Sequence, residues 1–326
     1  MNKIFSGIRP SGKLHLGHYF GAIKNWVALQ DNPESEQAIF AVVEYHGITT
    51  PFNPKTYHQQ VMDSVLDYLA AGINPEKSLL IRQSKIPEHT ELAWIFNTIT
   101  PVSWLDRLPT YKEKLEQAPK YNNVGLLDYP VLMAADILIY KSNLVPVGED
   151  QMPHIDLANE IAKKFNHMFG QTFEPVKAFL AEGARIMSLQ EPTKKMSKTG
   201  DEALNLMDEP DTVREKIKKA VTDSGKEIKF DEENKPAISN LLTIHSLLSG
   251  KEIKKVEEEY DGKSYVDFKK DLAEVVVGFL KPFQEKRKGF ESNSDQVEEI
   301  LTKSEEKAKI IASSNLAEIK KKMGVF

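Results

Sequence analysis

Short apolar runs alternate with stretches of helical periodicity through the first two hundred residues, and few architectures accept that order. Ile4 to Ile8, Ala38 to Val43, Leu79 to Ile81, Leu144 to Val147 and Arg185 to Leu189 read as strands. Ala38 to Val43 is apolar throughout, as a strand covered on both faces should be. Between the runs lie helical stripes: Phe20, Ile23 and Val27; then Val61, Val65 and Leu69, stopped by Gly72; then Pro130 to Tyr140; then Ala158, Ile161, Ala162, Phe165 and Phe169 behind Pro153. Pro153 suits a first helical position. Pro146, inside the fourth run, predicts an edge strand or an irregular strand end. Strand–helix alternation of this kind predicts an α/β fold, a Rossmann-like doubly wound parallel sheet.

After about residue 200 strand signals fade and helices dominate: Thr212–Val221, Ile238–Leu248, Val266–Glu285 and Gln296–Met323. The expected division is therefore a sheet domain over 1–200 and a helical domain over 201–326, with the last helix able to pack back on the sheet domain. Ile310, Ile311, Leu316, Ile319 and Met323 form its apolar side. The net charge of −5 supplies no global basic field, so a nucleic-acid partner would have to meet a local basic face. With no cysteine there are no disulfides and no thiolate chemistry. No apolar run approaches the roughly 20 residues of a membrane helix. The first residues carry no signal-peptide pattern. These features fit a cytoplasmic protein with no membrane partner.

Two short signatures carry chemistry. Pro10-Ser11-Gly12-Lys13-Leu14-His15-Leu16-Gly17-His18 follows the first strand. Gly12 and Gly17 let backbone approach a ligand closely. A helix opening near Gly17 would turn unbonded N–H groups and its positive dipole end to the loop. His15 and His18 add two donors. Such a set suits a phosphate under displacement, where each fixed donor contributes on the order of 10²–10³ in rate. The alternatives are structural histidines or half of a metal site, for which the nearby sequence offers no third ligand. The second signature, Lys194-Lys195-Met196-Ser197-Lys198-Thr199, closes with Gly200. Alone it would be a hydrated charge run. Behind a strand at 185–189, at the carboxyl end where open α/β sheets bind ligands, it can close over a triphosphate as pyrophosphate leaves.

A third stretch, Val131 to Tyr140, contains a single charge, Asp136. Met133 and Asp136 stand three apart and share a helix face. A carboxylate buried there needs a donor; otherwise it lies on a solvated face or caps a loop.

The first signature resembles the "HIGH" motif of class I aminoacyl-tRNA synthetases, and the second resembles their "KMSKS" motif. Within that class the sequence is most similar to the bacterial-type tryptophanyl branch. The stretches that carry the likeness are Phe5 through Gly12, Tyr129 through Leu138, Val145 through Gln151, Gly183 through Leu189 and Ala220 through Ser224. They run nearly the whole chain in the expected order.

The resemblance implies ATP-dependent activation of L-tryptophan and its transfer to tRNA(Trp) by a homodimer. Mg²⁺ would be carried on the triphosphate, with no protein metal site or prosthetic group. It implies a helical dimer or connective insertion around 85–130 and tRNA binding by residues 201–326. Phe5, Gly7, His46, Tyr129, Met133, Asp136, Val145, Val147 and Gln151 resemble the tryptophan pocket. Asp136 would accept the indole N–H, and Met133 would pack on the ring. Arg9, Ser11, Gly17, His18, Asp150, Gln151, Ile186, Lys195, Met196, Ser197 and Lys198 match the ATP-binding set, with Asp150 toward the ribose. His15, His18, Lys195, Lys198 and Lys114 match the catalytic set. Three positions depart from many family members: His18 stands where asparagine is common, Arg9 where glutamine is, and Thr199 where serine is. The rival readings are a tyrosyl enzyme of the same class, a small nucleotidyltransferase, and a non-catalytic tRNA-binding paralogue.

Overall fold

The computed structural model describes residues 1–325 apart from Ser11, 118–119, Tyr121, 181–184 and 197–201; within the helix Pro109–Gln117 the side chains of Lys114, Leu115 and Gln117 are also outside the description. The chain divides into two compact units. The first comprises Met1–Ser11, Asn25–Ala181 and Asn293–Phe326; the second comprises Gly12–Lys24 and Glu182–Ser292. Proximity in space thus does not cut the chain at residue 200. The last helix lies with the sheet, and Gly12–His18 of the first signature and Lys194–Met196 of the second lie with the helical region.

The first unit is a five-stranded sheet, parallel in every pairing, in the order β3-β2-β1-β4-β5. β1 is Asn2–Ile8, β2 Ser35–Val42, β3 Leu79–Arg82, β4 Leu144–Val147 and β5 Lys177–Leu180. Ile39 to Val42 and Leu80 and Ile81 have no exposure at all, which fits helices on both faces. The helix Pro54–Ala71 shows how local chemistry sets such boundaries. Asn53 accepts the Lys55 N–H at 3.0 Å, proline occupies the first turn, and Gly72 ends the helix at φ +113°.

Two strand expectations need correction. Arg185 to Leu189 is not a strand of the sheet; the fifth strand is Lys177–Leu180, paired with β4 from Leu144↔Lys177 to Val147↔Leu180. Lys177, Phe179 and Leu180 are exposed on this edge, so no apolar run betrays the strand. Nor is the Pro146 strand an edge: β4 lies between β1 and β5. Proline has no N–H to give, and the β1–β4 ladder is reduced to the pair Ile4↔Leu144. The Ser6 hydroxyl fills part of the gap, donating to the Pro146 carbonyl at 3.0 Å.

The helix Ser294–Met323 packs on this sheet unit, burying Leu301, Ala308, Ala312, Leu316 and Ile319. Ile310, expected on its apolar side, is exposed at 70%. Arg82, at the end of β3, is buried and forks onto two carboxylates of this helix. Its Nε and Nη2 donate to Glu305 at 2.7 and 3.0 Å, and Nη1 and Nη2 donate to Glu298 at 3.0 and 2.6 Å. The Arg82 backbone N–H also reaches Glu305, at 3.1 Å.

The second unit is built around the helix Tyr265–Glu291. Its buried stripe of Phe268, Leu272, Ala273, Val276 and Leu280 meets the helices Pro210–Lys219 and Pro236–Ser249. Both begin with proline in the first turn, and Gly250 ends the second at φ +70°.

Candidate active site

In the sheet unit the strand order reverses between β1 and β4, and open α/β sheets bind ligands outside the carboxyl ends of strands at such a reversal. Arg9 follows β1 there, and Gly148, Asp150 and Gln151 follow β4. Behind these ends runs the helix Val124–Leu138, capped by Asn123, which accepts the Leu126 N–H at 2.9 Å. Its buried face presents Tyr129 and Asp136.

Asp136 is 1% exposed, and its carboxylate is not on a solvated face. Oδ1 accepts from Gln83 Nε2 at 2.7 Å and from His89 Nδ1 at 2.6 Å. Oδ2 accepts from His46 Nε2 at 2.7 Å. Burial alone would push this carboxyl up; the hydrogen bonds from His46 and His89 outweigh it and hold the group down, at about 2. Asp136 is therefore a carboxylate, acceptor-only, with three donors on its about four lone-pair positions. Phe5 and Val145 are buried, and Met133 and Val147 pack against the same core. The Phe5 ring stacks on Tyr140 at 5.6 Å.

A second chain of polar groups starts at Tyr129. Its hydroxyl lies 2.9 Å from His154 Nε2 and 3.0 Å from Thr110 Oγ1. His154 Nδ1 lies 2.9 Å from Gln151 Oε1, a carbonyl that can only accept. The proton is thereby placed on Nδ1, leaving Nε2 to accept from the Thr110 hydroxyl at 3.0 Å while Tyr129 donates to Thr110. Gln151 in turn donates from Nε2 to Asp150 at 2.7 Å. Burial raises the Tyr129 phenol, so it stays protonated.

Gly7 is tightly held by packing. A Cβ there would fall 2.5 Å from Val43 Cγ1 and 3.2 Å from the Ala41 carbonyl. Gly7→Ala is expected to lower stability by about 1–3 kcal/mol through overpacking between β1 and β2, a shift readable as a fall in melting temperature.

The second unit carries the signatures. His15 and His18 stand on consecutive turns, ring centroids 3.8 Å apart. His15 Nδ1 accepts the Gly17 N–H at 3.1 Å, and His18 Nδ1 accepts the His15 N–H at 3.4 Å. In neutral imidazoles both protons then sit on Nε2, giving two donors of fixed tautomer. The expectation of unbonded amides at this helix start does not hold. The Gly17 N–H is taken by His15, and the Leu16 N–H donates to the Leu204 carbonyl at 2.9 Å. The amides of this turn are therefore engaged within the chain.

The lysine segment folds back on itself. Met196 N–H donates to Ile186 O at 3.1 Å and Ser188 N–H to Lys194 O at 2.9 Å, with Met187 bridged to Lys195. Asn240 clamps it from the helix Pro236–Ser249, accepting the Met187 N–H at 2.9 Å and donating to the Met187 carbonyl at 3.0 Å. Ile186 and Met196 are buried, Lys195 is exposed, and Lys194 pairs with Glu191. The two signatures adjoin: a Cβ on Gly17 would lie 3.7 Å from Met196 Cβ and 2.9 Å from the His15 ring.

Sequence reasoning placed Phe5, His46, Tyr129, Met133, Asp136, Val145 and Val147 in one neighbourhood, and the structure brings Asp136 onto His46. It missed Gln83, His89, Tyr140, Thr110 and His154, which complete the two polar networks, and Asn240. His89 stands among Glu88, Thr90 and Glu91, so nothing local marked it as a buried group. Ser11, Ser197, Lys198 and the Lys114 side chain lie outside the described residues. Among the described residues no cluster of three or more His, Cys, Asp or Glu could hold a metal ion, and no helix is long and apolar enough to cross a membrane.

A family model described as tRNA synthetases class I (W and Y) matches residues 1–281. The chain is 44% identical to the tryptophan–tRNA ligase of Bacillus anthracis over 329 residues, 100% of this chain and 98% of that one. Among solved structures it is similar to tryptophanyl-tRNA synthetase from Mycoplasma pneumoniae, with a TM-score of 0.89, 32% identity and coverage of 100% and 98%. It is also similar to tryptophanyl-tRNA synthetase from Campylobacter jejuni complexed with ADP and tryptophan, with a TM-score of 0.86, 33% identity and coverage of 99% and 100%.

Proposed function

The chain belongs to the class I tRNA synthetases of the tryptophan and tyrosine group, and from that premise we infer that it is a ligase joining L-tryptophan to tRNA(Trp). The tryptophan carboxylate attacks the α-phosphate of ATP, giving tryptophanyl-adenylate and pyrophosphate. The terminal ribose hydroxyl of tRNA then attacks the adenylate carbonyl, releasing AMP. No side-chain nucleophile is needed, and the protein's contribution is positioning and charge stabilisation.

One observation carries the amino-acid assignment: a fully buried carboxylate, Asp136, retains acceptor capacity in the sheet unit, whose core includes Phe5 and Val145 with Met133 and Val147 packed against it. The indole N–H supplies the missing donor. In the sheet unit, Tyr129 and Gln151 hold the polar end of the amino acid, and Arg9 and Asp150 serve the nucleotide. In the second unit, the Nε2–H groups of His15 and His18 and the ammonium of Lys195 stabilise phosphate charge, with Ser197 and Lys198 continuing that role. Gly17, Ile186 and Met196 line the adenine, and Lys114 reaches the triphosphate. Mg²⁺ enters on ATP. The helical residues 201–292 meet tRNA, and a homodimer in the cytoplasm is part of the same reading.

Pyrophosphate exchange measured with each amino acid tests it: exchange is expected with tryptophan, and exchange with tyrosine but not tryptophan would reject the assignment. Lys195→Ala is expected to slow exchange by about 10²-fold, the usual loss on removing one charge-stabilising group. Its melting temperature should move by no more than about 1–2 °C, because an exposed loop lysine supports little structure. A large fall in melting temperature would mark it as structural instead.

A further inference from the structure

We propose that His89 and Tyr140 are positioning residues for amino-acid selection, fixing the Asp136 carboxylate so that its one remaining acceptor position, on Oδ2, is the position offered to the indole N–H. This rests on the assignment of Asp136 to the indole. It adds how that carboxylate is kept ionised and aimed.

His89 has no exposure and bridges two groups: Nδ1 lies 2.6 Å from Asp136 Oδ1 and Nε2 lies 2.7 Å from the Tyr140 hydroxyl. Burial pushes the Tyr140 phenol well above its ordinary value, so the hydroxyl keeps its proton. It donates to Nε2 and leaves the imidazole proton on Nδ1, facing the carboxylate. Gln83 takes the second position on Oδ1, so that oxygen is full. Among the described residues Oδ2 accepts only from His46. A fourth donor can be received only there. A ring without an N–H leaves that buried acceptor unmet, which is how polar pockets reject isosteres.

The charged and titratable groups around Asp136 can be named. His46 and Glu44 come from the helix Glu44–Gly47, and Glu88 and His89 from the helix Glu88–Asn97. Tyr129 comes from the Asp136 helix itself, with Tyr140 just beyond its end. Glu44 accepts from Ser84, and Glu88 accepts from Ser313; among the described residues neither is bonded to Asp136. With the His89 donor gone, burial would be opposed by His46 and Gln83 alone. The Asp136 carboxyl would then protonate nearer neutrality and turn an O–H toward the ring.

The test compares tryptophan with its isostere 3-benzothienylalanine, in which sulfur replaces the N–H, by pyrophosphate exchange on the full chain. His89→Leu is expected to raise KM for tryptophan by about 10–100-fold, the range for losing one hydrogen bond to a charged group. KM for the sulfur isostere should change little, and kcat should stay within about threefold, because this contact is made equally in ground and transition states. In His89→Leu, KM for tryptophan should also rise by about tenfold from about pH 8 to about pH 6. His89→Asn places an amide N–H where Nδ1 stood and should restore KM to within about fivefold and remove that pH dependence. Neither variant titrates at position 89, so the contrast reports on Asp136. Tyr140→Phe should raise KM for tryptophan about threefold to tenfold without changing KM for the isostere.

Equal effects of His89→Leu on both substrates, or no rescue by asparagine, would make His89 a packing residue and overturn the proposal. If the leucine variant does not fold, wild-type KM and preference in Tyr140→Phe overturn it instead. Asp136→Asn separates the two levels. Loss of preference there with none in the His89 variants defeats the inference alone, whereas preference retained in Asp136→Asn defeats the indole assignment beneath it.

Discussion

Asp136→Asn is expected to lower kcat/KM for tryptophan by about 10²–10³-fold while KM for ATP changes by no more than about threefold, the loss reflecting a buried polar group confronted by an unmatched donor. Three N–H groups already face this carboxylate, from Gln83, His89 and His46. An amide has one acceptor oxygen. If that oxygen serves Gln83 and His89, the NH₂ falls on the side of His46. A change of tautomer lets His46 accept, but the indole N–H still meets a donor. Discrimination against phenylalanine and tyrosine should therefore fall with tryptophan activation, since neither competitor loses an indole contact. Wild-type discrimination in the variant would show that Asp136 does not read the indole. The same carboxyl contributes to acid stability. Its folded value, held down to about 2, lies below the ordinary value of 3.8. Its contribution is complete above the ordinary value and is lost as pH falls from about 4 to about 2. Asp136→Asn should flatten the acid limb of a melting-temperature profile over that interval and leave the slope above about pH 5 unchanged.

Arg82→Ala is expected to be the most destabilising substitution of a single charged residue in the sheet unit, at about 3–5 kcal/mol, because it leaves Glu305 buried without its partner. The corresponding fall in melting temperature is about 6–10 °C. Hydrogen bonding to Glu305 and Glu298 raises the guanidinium against the lowering effect of burial, so the arginine stays charged at every working pH. The loss should concentrate in the helix Ser294–Met323, whose amide protons should exchange faster while those of β1 and β2 keep their protection. Removing both charges, as in Arg82→Met with Glu305→Leu, should recover much of the loss, since a well-packed apolar pair avoids the desolvation of two ions. An Arg82→Ala variant that melts at the wild-type temperature would show that the fork contributes nothing to stability.

The strand expectations that held were those with a burial pattern to read. Ile39 to Val42 must be covered on both faces, and that requirement writes an unbroken apolar run. Lys177 to Leu180 satisfies its strand pairing through backbone alone on an exposed edge, so its side chains carry no such mark. Of the two expectations for Pro146 the edge failed and the irregular ladder is seen on the β1 side; there a serine hydroxyl satisfies the Pro146 carbonyl, and a contact between positions 6 and 146 has no local signature. The same distinction runs through the site. Asp136 stood out as one charge in an apolar helix. Its partners Gln83 and His89 come from other elements and look ordinary where they stand.

Residue order by itself determined the alternating sheet architecture, the helical character of the later half and the two signatures, because periodic burial and short-range loop chemistry are written locally. Only the tertiary structure decided that the last helix is tied to β3 through Arg82, that His15, His18 and Lys195 share one unit, and that Asp136 is ionised and three-quarters satisfied. Those outcomes depend on desolvation and hydrogen-bond geometry among groups distant in sequence, and each exists only once the chain has brought its partners within about 3 Å.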